Sequence, residues 1–588
     1  MRYEVNPTKY LTPKIVSFDC EYTDLNLRKA KLLSVSIGVS PELTYIFNAA
    51  YYEELDKVAV ILDKADILFT WNGIVDWLML SKYGISQDKD KIIDAMLLEH
   101  LIDENLDHRL GDYALREYND NYKKEFWSQY KTYQEAPKEA QYPYEMRDGC
   151  YTYIAGVKYL AKLNENMELI RHVHRLQWAL FDTEIKGIKV DVELIRKTKM
   201  EMGERISGYL PKLREEFSDL CDAWEMEKWK DEVHKRKSEK GQAGVRRPNY
   251  SFASDSQVRW LVYEALGCPV TEKTKKGAPK TDVETLKKLS EDPHSFPLRT
   301  LVNYKEEKSV YATFVEGMLD RVEDGRIYPH FNVNGTTTGR ISHSNPNMAN
   351  LPSEGVFRNF FLPDPGCVLI GADYSQLEVV VEANLTDDPS LLKIILEGAS
   401  KHDITADGLR IPRDQAKTLN FALQYGAGVR KVSQILSVSL KDAEDIFTRY
   451  WELYSGVKSL KDDTAETLKR QGFVVNLFGR VRHFPKPKDK FEGFRQERQA
   501  YNFLIQGPGS DMMNMSTYTA ADKFKSKSLG RVLWSVHDEL VCEVKESLIE
   551  EARQCIIESM EVPNDFLKLK YRVGNKLYGP LRAWSKGG

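Results

Sequence analysis

The 588-residue sequence has no apolar run approaching the roughly 20 residues that cross a bilayer, so no membrane partner is expected. Its opening residues, MRYEVNPTKY, lack both the apolar core of a signal peptide and the Arg/Ser-rich character of a transit peptide. The seven cysteines are an odd number with no C-x-x-C pair, which argues against a zinc module. They fit reduced thiols in a cytosol-like compartment, and the cytoplasm is the expected location. Internal repeats and long low-complexity tracts are absent. Charge of one sign is scarce too: the net charge is −4, so the whole chain is no electrostatic magnet for a polyanion. A locally basic cleft is still allowed.

What is present is a long, aromatic-rich chain, 42% hydrophobic and 29% charged, with 31 Tyr and 10 Trp. That length exceeds one ordinary core and predicts three or more structural units. From Lys14 to about Leu163, short strand-like runs (KIVSFDCEY, LLSVSIGV) mix with amphipathic helices, an α/β pattern. A long helix is predicted around Met167–Thr183, ending at the turn-like KGIKVD. Residues 225–248 are highly charged and poorly periodic, and read either as a solvated loop or as a basic arm for duplex phosphates.

Two acidic segments lie far apart in the C-terminal half. CVLIGADYSQLE begins as a buried strand delivering Asp373, with Glu378 on a following helix. RVLWSVHDELVCEV reads as two strands around the turn His537-Asp538, followed by Glu539. Either Asp alone fits an ordinary turn residue or helix cap. Together, at strand ends, two Asp can bridge two Mg²⁺ ions roughly 3.5–4 Å apart. Between them, IPRDQAKTLNFALQYG places Arg413, Lys417, Phe421 and Tyr425 at i, i+4 on one helix face. A triphosphate along that stripe meets cations with its phosphates and an aromatic with its sugar and base. An amphipathic helix with core aromatics and solvated cations is the alternative for any one of the four.

A second acidic constellation lies near the N-terminus. SFDCEYT puts Asp19 and Glu21 on one face of a strand. TWNGIVDWL supplies Asn72 and Asp76, and YEMRDGCYT supplies Tyr144 and Asp148 four residues apart on a helix. A D-x-E pair alone reads equally as exposed strand acids.

These segments resemble motifs A (DYSQLE), B (RDQAKTLNFALQYG) and C (VHDE) of the family A DNA polymerases. TTTGRISHSNPNMANLP, GFVVNLFGRVRHFP and ERQAYNFLIQGPGSD resemble the flanking stretches, and the N-terminal acids resemble the three motifs of the DnaQ-like 3′→5′ exonucleases. The resemblance implies a multidomain α/β and α+β fold, with an RNase H-like exonuclease domain (1–165) before a right-hand polymerase. Its thumb would span 166–330, its palm 331–385 and 495–588, and its fingers 386–494.

It implies Asp373 and Asp538 as metal ligands with Glu539 ancillary, and Glu378 as a gate against ribose. Arg413, Lys417, Phe421 and Tyr425 would hold the incoming dNTP, and Phe421 in place of Tyr implies discrimination against dideoxynucleotides. Arg340, Arg498, Asn502, Gln506, His537 and Asn72 would contact DNA. Asp19, Glu21, Asp76 and Asp148 would hold a second pair of Mg²⁺ ions, for which Mn²⁺ can substitute, and Tyr144 would orient water.

The expected activity is primer extension on a template with dNTPs and 3′→5′ proofreading, by a monomer without an identified processivity factor. An exonuclease motif so near residue 1, with no 5′-nuclease segment before it, suggests a phage-type replicative enzyme. The family's Asp-Ile-His order is His402-Asp403-Ile404 here, which leaves His402 open between a triphosphate contact and a surface histidine. Ala349 stands where Gln is common, and QGPGSD departs from the usual QG-small-Ala-Asp. Rival readings are a single-subunit RNA polymerase, a stand-alone nuclease and a non-enzymatic DNA-binding protein; Glu378, Phe421 and the paired acidic sites weigh against them.

Overall fold

The computed structural model of the protein describes residues 1–24, 26–235, 245–274, 276–291, 298–352, 354–374, 376–424, 426–570 and 577–584. The chain forms two compact units: Met1–Gly187 with Pro329–Ser344 and Pro363–Arg582, and Ile188–Tyr328 with Asn345–Leu362 and Ala583–Gly588.

The first unit opens with a six-stranded sheet in the order Arg2–Val5, Leu43–Asn48, Leu32–Ser40, Ile15–Tyr22, Ile67–Thr70, Ile92–Asp94. Ile15–Tyr22 lies in its interior, antiparallel to Leu32–Ser40 and parallel to Ile67–Thr70. Val16, Phe18 and Cys20 are buried while Asp19 and Glu21 alternate with them at intermediate exposure, as a two-residue period requires. The helix Lys138–Lys162 closes on this sheet at Gly149, whose carbonyl accepts from Ser17 Oγ at 2.6 Å. A Cβ on Gly149 would stand 2.7 Å from Thr44, so only glycine permits this approach. The approach matters because Asp148 precedes that glycine and Tyr144 lies one turn earlier.

The same unit holds a four-stranded antiparallel sheet in the order Gly530–Val536, Glu539–Lys545, Cys367–Asp373, Leu577–Leu581. Its apolar side chains, among them Ile370, Ala372, Leu540 and Cys542, share one core with Met512, Phe524 and Ile556. Met512 and Phe524 belong to the 37-residue helix Lys490–Ser526, and Ile556 to the helix Ile549–Glu561.

The second unit is built on the helices Val192–Glu216 and Ser218–Lys235, with a core that includes Leu213, Phe217, Cys221, Tyr250 and Leu261. A three-stranded sheet joins Phe361–Leu362, Ile188–Val190 and Arg326–Ile327. The charged segment corrects the loop reading. Its part up to Lys235 continues a helix, and Glu225 is buried, receiving Arg214 at 2.7 Å and the Tyr250 N–H at 2.7 Å. A helix whose charges pair with neighbouring elements shows little apolar periodicity, which hid it from the pattern. Residues 236–244 of that segment lie outside the described residues.

Candidate functional site

Asp373 ends its strand directly opposite Glu539, and the turn His537-Asp538 joins the two strands beside it. His537 takes φ +53°, a value that a two-residue hairpin turn demands. The backbone then fastens the two acidic segments together: Tyr374 N–H donates to the Asp538 carbonyl at 2.9 Å. Burial, with Glu378 and Asp373 nearby, outweighs the Arg340 guanidinium and pushes Asp538 up to about 6. Glu378, in the first turn of the helix Leu377–Thr386, accepts from Arg340 Nη2 at 3.1 Å. Glu539 is buried and accepts from the Tyr578 hydroxyl.

The helix Arg413–Gln424 resolves the choice between a core stripe and an exposed one. Ala416, Leu419, Asn420 and Leu423 are buried, whereas Arg413, Lys417 and Phe421 are exposed, Phe421 by 51%. The aromatic therefore lies on the cationic face and not in the core. Arg413 pairs with Asp403 at 2.7 Å. Tyr425, the fourth member, lies outside the described residues.

His402 is drawn to this face. Its ring centroid lies 5.9 Å from that of Phe421, and its Nδ1 lies 3.1 Å from Asn420 Nδ2. Asn420 is itself fixed by Thr405 at 3.0 Å and Tyr450 at 3.1 Å. Burial first, then Arg413 and Lys417, lower the His402 pKa.

Arg498, Asn502 and Gln506 follow one another on the helix Lys490–Ser526, Arg498 exposed and the other two half-buried. Gly426, at φ +81°, meets Arg498 so closely that a Cβ there would lie 2.2 Å from Arg498 Cδ.

In the N-terminal sheet, ligand oxygens of Asp19, Glu21 and Asp148 all lie within 4.8 Å of one another. Asp76, buried on the helix Ile74–Lys82, accepts from the Cys20 N–H at 3.1 Å and so stands beside them. Burial and then Asp148 raise Asp19 to about 8. Burial and then Asp19 raise Glu21 and Asp76 well above the usual carboxylate range. Asp19, Glu21, Asp76 and Asp148 line a cavity of about 460 Å³ together with Asp24, Asn72, Lys123, Tyr133 and Tyr144. Asn72 has φ +60°, and its N–H donates to Asp94 Oδ1 at 3.0 Å.

Asp148 Oδ1 contacts the Tyr122 hydroxyl and Lys123 Nζ, the latter at 2.8 Å, whereas its Oδ2 is buried without a hydrogen-bond partner among the described residues. An orphaned carboxylate oxygen among mutually repelling acids is the donor set that a divalent cation fits. A second grouping, Asp103, Glu104 and His483, is satisfied internally: Glu104 accepts from the His483 N–H at 2.7 Å and lies 3.1 Å from its Nδ1.

Lys123 of this cavity, with Tyr122 and Glu145 next to its acids, is not singled out by the sequence. Tyr122 and Lys123 lie far from the acidic motifs. Glu145 is buried beside Asp148 and is raised to about 7 by its burial. The adjacency of Glu145 to Tyr144 was the only signal available.

Comparison with known proteins agrees with the family A resemblance read from the C-terminal motifs. The family model "DNA polymerase family A" matches residues 223–578, more than half the chain. DNA polymerase I of Bacillus subtilis is 29% identical over 418 residues, covering 68% of this chain and 44% of the relative. DNA polymerase I of Pseudomonas aeruginosa is 26% identical over 590 residues, covering 92% of this chain and 60% of the relative. The chain thus spans about half the length of such relatives. Among solved structures, the POL domain of Pol1 from M. smegmatis, in complex with DNA primer-template and dNTP, has the same fold. Its TM-score is 0.75 at 21% identity, covering 97% of this chain and 95% of that one. By the family-model match, the chain belongs to DNA polymerase family A.

Proposed function

We propose that the chain is a template-directed DNA polymerase that extends a primer 3′ end with dNTPs, and that its N-terminal site is a 3′→5′ proofreading nuclease. One observation carries the polymerase reading: the Tyr374-to-Asp538 hydrogen bond holds two acidic strand ends together. The exposure of the described part of the cationic–aromatic stripe supports it. Asp373 and Asp538 would hold the Mg²⁺ ions, with Mn²⁺ able to substitute, and Glu539 would assist. Such ions, when bound, activate the primer 3′-hydroxyl and steady the pyrophosphate.

The protein's own residues supply the rest. Arg413 and Lys417 receive phosphates, Phe421 packs on the sugar and base, and Tyr425 closes over the pair. Glu378 excludes a 2′-hydroxyl. Arg340, Arg498, Asn502, Gln506 and His537 bind primer–template through shape and backbone, since minor-groove acceptors are shared by all correct pairs. On this reading residues 1–165 are the exonuclease domain, 166–330 the thumb, 386–494 the fingers, and the palm lies on either side of the fingers.

Editing is supported by the acidic quartet Asp19, Glu21, Asp76 and Asp148, of which Asp76 and Asp148 are buried, with Tyr144 aligning water and Asn72 meeting the strand. A replicative, phage-type role for a monomer is part of the same proposal.

Primer extension with dNTPs or rNTPs and degradation of a mismatched primer, both with Mg²⁺, test the reading. Asp538→Ala abolishes extension and spares degradation; Asp19→Ala with Glu21→Ala does the reverse. Extension by Asp538→Ala at the parent rate would refute it.

A further inference from the structure

The proposed nuclease chemistry rests on carboxylates and one tyrosine, yet the cavity also holds a cation. Lys123 stands in the first turn of the helix Tyr122–Gln129. Its Nζ lies 2.8 Å from Asp148 Oδ1 and donates to the Tyr144 hydroxyl oxygen at 3.1 Å. An ammonium has three N–H donors, so these contacts leave one for the strand.

The segment that delivers Lys123 is tied to the helix it serves. Asp120 accepts from the Tyr122 N–H at 3.1 Å and from Arg147 Nε at 3.0 Å, and Arg147 adjoins Asp148. Phe126 on the same short helix packs on the Tyr144 ring at 4.4 Å between centroids.

We propose that Lys123 is a positioning residue of the nuclease site, holding the Tyr144 hydroxyl and one Asp148 oxygen fixed and offering its remaining N–H to a phosphate oxygen of the strand. This rests on the nuclease reading above. Because the phenolic oxygen accepts from Lys123, the Tyr144 O–H proton is turned elsewhere, toward the attacking water. In the hydrolysis the water oxygen bonds to phosphorus, the bond from phosphorus to the neighbouring nucleotide's 3′-oxygen breaks, and a proton returns to that oxygen. With Oδ1 engaged by Lys123 and Tyr122, Asp148 keeps Oδ2 for the cation that its buried, partnerless state fits.

Single-turnover degradation of a single-stranded oligonucleotide, measured against Mg²⁺ and strand concentration, tests this in the full chain. The variants are Lys123→Met, Lys123→Gln, Lys123→Arg, Tyr144→Phe and the double Lys123→Met/Tyr144→Phe, with thermal unfolding reporting the fold of each. Lys123→Met is expected to slow the maximal rate by about 100-fold and to raise the Mg²⁺ needed for half-maximal rate. Lys123→Arg restores much of the loss. The double variant falls little below the slower single one, as residues acting together do.

A Lys123→Met or Lys123→Gln rate within threefold of the parent overturns the proposal, and so does a loss that simply multiplies with that of Tyr144→Phe. Lys123→Gln serves if the methionine variant fails to fold. A different result, no degradation by the parent above that of Asp19→Ala with Glu21→Ala, removes the nuclease reading itself.

Discussion

Arg340 and Glu378 form an ion pair at 3.1 Å. The residue proposed to bind primer–template and the residue proposed to exclude ribose are thus a single charge-neutral unit. Both lie beside Asp538, which Arg340 lowers and Glu378 raises.

Removing the carboxylate from that unit has two effects with separate readouts. Glu378→Ala opens the space beside the sugar and frees the guanidinium. The ratio of rNTP to dNTP kcat/KM is expected to rise by roughly tenfold or more, ~1.4 kcal/mol. Arg340→Ala is expected to lower kcat while leaving that ratio nearly unchanged. An rNTP ratio unaltered by Glu378→Ala would remove the gate assignment.

Phe421 offers a purely apolar ring, half exposed, on the cationic face of its helix. Phe421→Tyr adds one hydroxyl where a sugar lacking its 3′-hydroxyl leaves a gap. Dideoxynucleotide incorporation relative to dNTP is expected to increase by about tenfold or more. Chain-termination assays at equal ddNTP and dNTP concentrations check this, and equal termination by both proteins contradicts it.

Asp511 makes a stability prediction with a pH signature. It is fully buried, with Arg480 Nη2 at 2.7 Å, Asn476 Nδ2 at 2.9 Å and His172 Nε2 at 3.3 Å. Burial would raise its pKa, but Arg480 and His172 overcome this and hold it well below the usual carboxylate range. Its contribution is therefore present above the unfolded value of roughly 3.9 and is lost as pH falls through the lower folded value. Arg480→Met leaves that charge uncompensated and is expected to destabilise by ~3–5 kcal/mol at neutral pH. The deficit narrows as pH drops toward 4, because the orphaned carboxyl then protonates. Urea unfolding of both proteins across that range decides it; a pH-independent deficit counts against the pair.

The N-terminal acids oppose one another, so function there is held at the expense of stability. In EDTA, Asp19→Asn is expected to raise the unfolding temperature, with a gain on the order of 1 kcal/mol. Adding Mg²⁺ stabilises the parent by mass action and the variant much less. Scanning fluorimetry with and without Mg²⁺ measures both shifts, and equal Mg²⁺ responses would detach Asp19 from the cation.

What the sequence disclosed was whatever local periodicity carries. Asp19 and Glu21 follow from alternation, Tyr144 with Asp148 and Arg413 with Lys417 and Phe421 from the helical repeat, and Asp538 from a two-residue turn between apolar runs. Lys123 could not be read this way, because only the tertiary packing of its helix on Lys138–Lys162 brings it to Tyr144. The Asp511–Arg480–His172 grouping spans several hundred residues for the same reason. His402 looked ambiguous because its partner, Asn420, belongs to the buried face of a helix noticed for its exposed one. The helix of the charged segment before Lys235 is not legible by periodicity, because its carboxylates pair with guanidiniums and leave it no apolar stripe.

The 37-residue helix Lys490–Ser526 is a beam about 55 Å long with a notch in it. On one side of Gly507-Pro508-Gly509 stand Arg498, Asn502 and Gln506, exposed or half-buried; on the other, Asp511 to Thr517 are buried without exception. Pro508 has no N–H to give the Leu504 carbonyl, and the flanking glycines add no side-chain stiffness. Gly507, Pro508 and Gly509 are themselves buried, so the missing hydrogen bond falls inside the packed part of the helix, just beyond Gln506. The glycine–proline–glycine departure marks the point where the helix passes from a partly exposed face to complete burial.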